Sequence, residues 1–489
     1  MSEVQTEAQK TPERLLDLSK RLSKVADDFE ALRTRLAPPG SSASAVPVAP
    51  PASAPAEGAD DSTLARFTSI LSRLETVTDQ VQDLRHKLSK PFDGADPAPD
   101  AGGGSEEEVA EFSLEKNDLE ELPDSWPAGA RNAVLVNLVC NRLKVLPSSI
   151  GSLQKVTELN VSENALTTLP AEIGQLVSLK VLDVNDNKIT SIDAFIGNLK
   201  NLERLDAYKN AITTLSPKVA QLKSLKELNL FNNQLTEIPS EISALEGLEL
   251  LNVASNKLTK VPELRGLKGL KRLALFWNKL NALPAIDTMH ELEDLQLSKN
   301  ALEALPGMGT LTALKSLSIS NNKLQALPEG IHLCKALNEI AAGSNQFTAL
   351  PPNLSLLPEL TKVVVAQNQI TQLPADIFDI AELQTLDVSD NKITELSSDV
   401  SKPKSLTNLF VQGNKISALP ASLKELPAIK RITLTDNPID AKEAGNVALL
   451  AALKTLCEGN GGKLLGPVKE APAGKGKFSL GKLKAASGS

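Results

Sequence analysis

Few side chains in this 489-residue sequence are placed to do covalent chemistry. Its three histidines (His86, His290, His332) and three cysteines (Cys140, Cys334, Cys457) lie singly, in separate regions. A metal centre needs such residues clustered, and nucleophilic catalysis needs a nucleophile beside a base. P-loop, GxGxxG, HExxH, GxSxG and kinase signatures do not occur. The abundant Asp and Glu read as solvent-facing. These observations predict a protein that is not an enzyme, with no cofactor and no metal. Isolated cysteines also give no disulfide framework. The remaining chemistry is recognition: a few aromatics beside arginines, whose meaning depends on the frame that carries them.

That frame is an internal repeat. The phrase LxxLxLxxNxLxxLP recurs, as in VTELNVSENALTTLP, LKELNLFNNQLTEIP and LKSLSISNNKLQALP. Its asparagine falls at Asn117, Asn141, Asn164, Asn187, Asn210, Asn233, Asn256, Asn278, Asn300, Asn322, Asn345, Asn368, Asn391, Asn414 and Asn437. Successive gaps are 23 residues ten times, 22 three times and 24 once, so each turn must pack in register on the next. Within a turn, Leu159 and Val161 alternate with polar residues, the period of a half-buried strand. Asn164 marks the strand end, where its amide can donate to and accept from neighbouring turns. Leu166 and Leu169 point inward, and Pro170 starts a return arm on which Ile173, Leu176 and Leu179 pack. No turn buries its own apolar face, so stacking is what makes the core. Trp126 takes the position of Ile173 in its own turn and reads as core.

This pattern resembles the leucine-rich repeat family over roughly residues 106–457. The resemblance implies an α/β solenoid of about 15 turns (residues 106–439), with a parallel sheet on its concave side and short helices or extended arms opposite. Acidic GSEEEVAEFSLEKN would shield the first strand. Residues 440–462, containing AKEAGNVALLAALKTLCEG, read as a C-terminal capping helix, and 463–489 as a basic disordered tail.

Two short heptad helices on disordered linkers precede the solenoid. Residues 1–36 hold an N-terminal tail and a first seam, Leu15 to Leu36; residues 62–90 hold a second, Phe67 to Leu88. Pro/Ala/Ser-rich 37–61 and residues 91–105 read as linkers. The seams fit a hairpin with each other, docking on the solenoid, or pairing with another chain as an oligomer. The basic tail is read as solvated, or as touching an acidic membrane surface.

Four positions per turn, six, four, two and one before the asparagine, should face outward from the sheet. An even spread would put about two of the fourteen aromatics there, but five occur: Tyr208, Phe231, Phe276, Trp277 and Phe410. The first four, flanked by Arg204, Arg272, Asp206, Asn229 and Asn232, have the composition of a binding hot spot. The other reading is that these rings cover one another and only stabilise the fold. Phe410 lies too many turns away to join them. Asp183, Asp186, Glu158 and Glu163 make an acidic zone able to speed association with a basic partner. Lys188, Lys257, Lys279, Lys323, Lys392 and Lys415, each following its asparagine, read as a solvated rim.

A net charge of -8 argues against nucleic acid. The longest apolar runs are too short for a transmembrane segment, and the N-terminus shows no signal peptide, so a cytoplasmic location is expected. The LP step and the I-G-x-L return, as in EIGQL and SIGSL, resemble the Ras-group class of repeats, which includes the plant intracellular Ras-group-related proteins. That resemblance implies a non-catalytic signalling scaffold for a protein partner such as a small Ras-like GTPase. The 22-residue turns are similar to the phosphatase-regulator type, which implies a protein phosphatase as partner or a role as its regulatory subunit. A structural alternative is a cytoskeletal or ciliary assembly component docking through its heptads.

Overall fold

The computed structural model describes residues 111–466. The heptad seams, both linkers and the lysines beyond 466 lie outside the described residues. Within them, sixteen three-residue strands form one all-parallel sheet whose strand order follows the chain, from Glu111–Ser113 to Lys463–Leu465. The register advances without slips: Leu182 pairs with Leu205, Leu205 with Leu228, and Leu228 with Leu251. These central residues are at most 1% exposed, whereas their neighbours in each strand turn outward. Burying a leucine fully is worth about 1.5–3 kcal/mol, and every turn buries several, so stability accumulates along the stack.

The return arms vary with turn length. In 23-residue turns the residues after the LP step close one tight 3-10 turn, as in Ala171–Gln175 and Ser240–Ala244. Between Leu250–Asn252 and Ser316–Ser318, where the turns have 22 residues, no helical segment forms. The missing residue is the one that would complete the 3-10 turn. A short second sheet, Ser191–Ile192 with Thr214–Leu215, lies outside the main one. Both arm types anticipated from the sequence are therefore used.

The junction between the two arm types depends on Gly266. A Cβ there would lie 1.9 Å from the Ser243 carbonyl oxygen, a backbone atom that cannot swing aside. Gly266→Ala is expected to cost about 1–3 kcal/mol, the range for overpacking a filled interior. Urea unfolding of the variant checks this; a loss below about 0.5 kcal/mol would show that the arm yields freely.

Both ends of the sheet carry aromatic or helical packing. Near the start, the Trp126 and Phe112 rings meet at 5.8 Å, and Trp126 is 7% exposed. At the other end the helix Ala444–Gly459 buries Leu453 and Cys457 against the last turns. Lys463–Leu465, expected in the tail, instead adds a sixteenth strand beside Arg431–Thr433. Gly462 allows this: a Cβ there would sit 1.9 Å from the Lys430 carbonyl oxygen. Asn460 helps too, its amide donating to the Pro427 and Ile429 carbonyls at 3.1 and 2.9 Å.

Candidate binding face

The asparagines set the geometry from which the outward side chains depart. From Asn141 to Asn437, each side-chain amide donates to a carbonyl of the preceding turn at 2.8–3.2 Å. Each Oδ1 also accepts a backbone N–H of that turn, as Asn187 does from Leu166 at 2.9 Å. Among the described residues Asn117 has no earlier turn to serve; it is exposed, and its amide donates to the Glu115 carbonyl in its own turn at 3.1 Å. The residue before each asparagine adopts the left-handed conformation, with φ of 50–58° at Cys140, Asp186, Asn232, Trp277 and their equivalents and 66° at Gly413. Gly, Asn and Asp enter this region readily. For a bulky residue it is a true outlier, and Trp277 is the bulkiest in the column.

The predicted aromatics share one stretch of the sheet face. The Phe231 and Phe276 rings stand 6.1 Å apart at 42° although their turns are not adjacent. Between them the equivalent residue is Ala254, which is fully buried. Strands two apart are separated by about 9.6 Å, so the rings lean together over the alanine methyl. Tyr208, one turn before Phe231, pairs with no ring among the described residues; the Lys209 ammonium lies 6.0 Å from its centre. Trp277 is 52% exposed, with the Lys299 ammonium 4.4 Å from its ring centre. Phe410 is only 6% exposed and presents little surface to a partner.

The flanking polar residues play different parts. Arg204 is exposed and its Nε donates to Asp206 Oδ2 at 2.5 Å, while Asp206 itself is buried. Asp183 lies one strand away; burial, aided by the Asp206 charge, pushes its carboxyl up to about 6. Burial and the same carboxylates push the Tyr208 phenol up to about 12, so it remains a hydrogen-bond donor at neutral pH. Asn229 Oδ1 accepts the Phe231 N–H at 3.2 Å, fixing the backbone beneath the ring. Arg272 and Asn232 are exposed at the margin.

Sequence reasoning missed Lys299 and Ala254. Both were findable, since Lys299 occupies the Trp277 position one turn later and Ala254 the Phe231 position one turn later.

Reactive groups stay apart. Burial raises the Cys140 and Cys334 thiols to about 11, so neither is a thiolate at neutral pH. Among the described residues no group of three or more His, Cys, Asp or Glu could hold a metal ion. A groove of about 730 Å³ near Thr214, Thr236 and Val261 is lined by hydroxyls, prolines, aliphatics and the charged Asp193, Glu237, Glu241 and Lys260. No helix among the described residues is long and apolar enough to cross a membrane.

Comparison with known proteins agrees with this architecture. The model for a leucine-rich repeat region matches residues 135–229, and that for the leucine rich repeat matches 223–280, 358–416 and 381–439. No curated protein matches the sequence. A leucine-rich repeat protein of Leptospira interrogans is 32% identical, superposes with a TM-score of 0.64, and covers 70% of this chain and 94% of its own. The Arabidopsis receptor kinase HAESA, solved with the peptide hormone IDA and the co-receptor SERK1, is 27% identical with a TM-score of 0.51. That match covers 67% of this chain and 64% of HAESA's. The functional domain of InlJ from Listeria monocytogenes shares the fold at 20% identity, with a TM-score of 0.59 and coverage of 71% and 72%. Such repeat domains generally mediate protein–protein interaction. With its parallel sheet, its asparagine column and this similarity, the chain belongs to the leucine-rich repeat proteins.

Proposed function

We propose that this protein is a non-catalytic scaffold that binds a partner protein on its sheet face, over Tyr208, Phe231, Phe276 and Trp277. The observation that carries the reading is Trp277, half exposed in a backbone conformation unfavourable for it. Strain retained at an exposed aromatic is a feature of binding sites rather than of packing. The Phe231–Phe276 pair supplies a continuous apolar floor beside it, although that pair also fits the stabilising role the sequence left open. HAESA, solved with a peptide hormone and a co-receptor, supports protein recognition by this fold. On the class resemblance, the partner is a signalling protein, a Ras-like GTPase or a protein phosphatase, met in the cytoplasm.

Partner capture with quantitative mass spectrometry tests the assignment on three baits: the intact chain, a Tyr208→Ala/Phe231→Ala/Trp277→Ala variant, and a chain beginning at residue 106. Partners lost only by the triple variant place binding on the sheet face. If the triple variant keeps every partner while the shortened chain loses them, the heptads are the working part. The cytoskeletal or ciliary alternative then becomes the better account.

A further inference from the structure

The two borders of the sheet handle charge differently. Where the strands begin, the residues seven before each asparagine alternate in sign, from Lys180 through Glu203, Lys226 and Glu249 to Lys315. They pair across turns: Lys180 with Glu203 at 3.3 Å, Lys226 and Lys271 with Glu249 at 3.6 and 2.8 Å, and Lys315 with Glu293 at 2.8 Å. Exposed pairs add little stability, but they leave that border nearly self-neutralised.

The opposite border, beside the asparagines, carries ion pairs near its start, Arg142 with Asp118 at 2.9 Å and Lys209 with Asp186 at 3.2 Å, but is not neutralised further along. Around Trp277 it carries Lys257, Lys279, Lys299 and Lys323, and from Asn232 to Gln346 no acidic residue flanks one of the repeat asparagines. None of these four lysines forms an ion pair among the described residues. Lys257 reaches only the Gln234 amide oxygen at 3.1 Å, and Lys299 lies over the Trp277 ring. Lys188, Lys392 and Lys415 hold the same column elsewhere, so what marks this stretch is that its lysines flank an exposed indole and meet no acid. Next to them, Asn229 and Asn252 sit side by side on paired strands. Each uses its Oδ1 for its own backbone, accepting from Phe231 at 3.2 Å and Ala254 at 3.1 Å, and neither amide N–H has a partner among the described residues. Two outward donors about 4.8 Å apart suit peptide carbonyls.

Resting on the reading above, we infer that this surface takes an extended acidic peptide segment of the partner protein. An apolar side chain of that segment lies on Trp277 and the phenylalanine pair, and its carboxylates face Lys257, Lys279 and Lys299. Nucleic acid fits less well. Four unpaired cations are few for a polyphosphate, and Asp183, Asp186 and Asp206 lie a few turns away on the same face.

The test uses the intact chain on an array of defined twelve-residue peptides. Trp277→Asn, a Lys279→Glu/Lys299→Glu double variant and a Tyr208→Ala/Phe231→Ala/Phe276→Ala variant run in parallel, with oligo-dT and phosphatidylserine vesicles as competitors. Expected are binders enriched in Asp and Glu around a Leu, Ile or Phe. The double reversal should weaken them more than tenfold without changing the melting temperature, and raising salt from 0.05 to 0.5 M should weaken them too. Binders without acidic enrichment, or indifferent to charge reversal, overturn the inference; if the aromatic variant still loses them, the sheet-face reading survives. Binders indifferent to every variant overturn both. An array without binders, or a preference for oligo-dT or vesicles over every peptide, overturns the acidic-peptide inference.

Discussion

Replacing Asn345 with alanine is expected to cost about 2–4 kcal/mol of stability. The side chain is 8% exposed, and its amide donates to the Ile319, Ala342 and Gly343 carbonyls at 3.0, 3.1 and 3.3 Å. Its Oδ1 accepts the Leu324 N–H at 3.0 Å. All three carbonyls keep another donor: Ile319 accepts from Asn322, Ala342 from Asn368, and Gly343 from the Asn321 N–H. The Leu324 N–H is left buried and unpaired. That orphaned group costs about 1–3 kcal/mol, and the lost amide bonds and a cavity add to it. Asn345→Asp separates the two halves of the role, since a carboxylate can accept from Leu324 but cannot donate to Ile319. It should therefore be nearly as damaging at neutral pH. Urea unfolding monitored by circular dichroism checks both variants. A loss under about 1 kcal/mol for alanine would mean that neighbouring turns close the gap, and that the column is not what ties turn to turn.

Trp277→Asn should lower partner affinity by at least about 30-fold, the hot-spot range, while changing stability by no more than about 1 kcal/mol. Deleting a tryptophan elsewhere in a protein commonly costs about 3–5 kcal/mol. Here two effects offset each other. The indole is 52% exposed, so the burial that is lost is partial. Its backbone φ of 55° is costly for a bulky residue, by about 1–2 kcal/mol, whereas asparagine tolerates it. The neighbouring column members Asn232 and Asn321 already occupy the same conformation. Thermal unfolding and a binding titration on one preparation give both numbers. A large stability loss with unchanged affinity would make Trp277 a packing residue and remove the main support for the binding face.

Much of the frame was legible because leucine-rich turns are local and identical. Each Leu, Asn and Pro sits at a fixed offset, so the offset names the cross-turn partner: Asn187 reaches Val161, and Asn345 reaches Ile319, both 26 residues back. The candidate face was legible as a composition and less so as a geometry. Tyr208, Phe231, Phe276 and Trp277 stood out against a chain with 3% aromatics. Their mutual distances depend on which way each ring leans, and that is decided by the neighbour in the next turn. The basic rim was read as the lysines that follow their asparagines; Lys392 among them meets Gln369, whereas Lys299, outside that row, meets a ring.

The sequence by itself determined the repeat, the strand positions, the inward leucines and the face on which recognition residues lie. These follow from hydrophobic period and turn length, which act within one turn and simply recur. Tertiary structure alone decided four other things. It placed Trp277 in a left-handed backbone conformation, closed Phe231 and Phe276 over Ala254, and left the lysines around Trp277 without ion pairs while pairing the charges on the opposite border. It also carried the sheet one strand beyond the capping helix, to Lys463–Leu465. Each of these depends on contacts between different turns, where side-chain direction and the space left by a neighbour, rather than residue type alone, set the outcome.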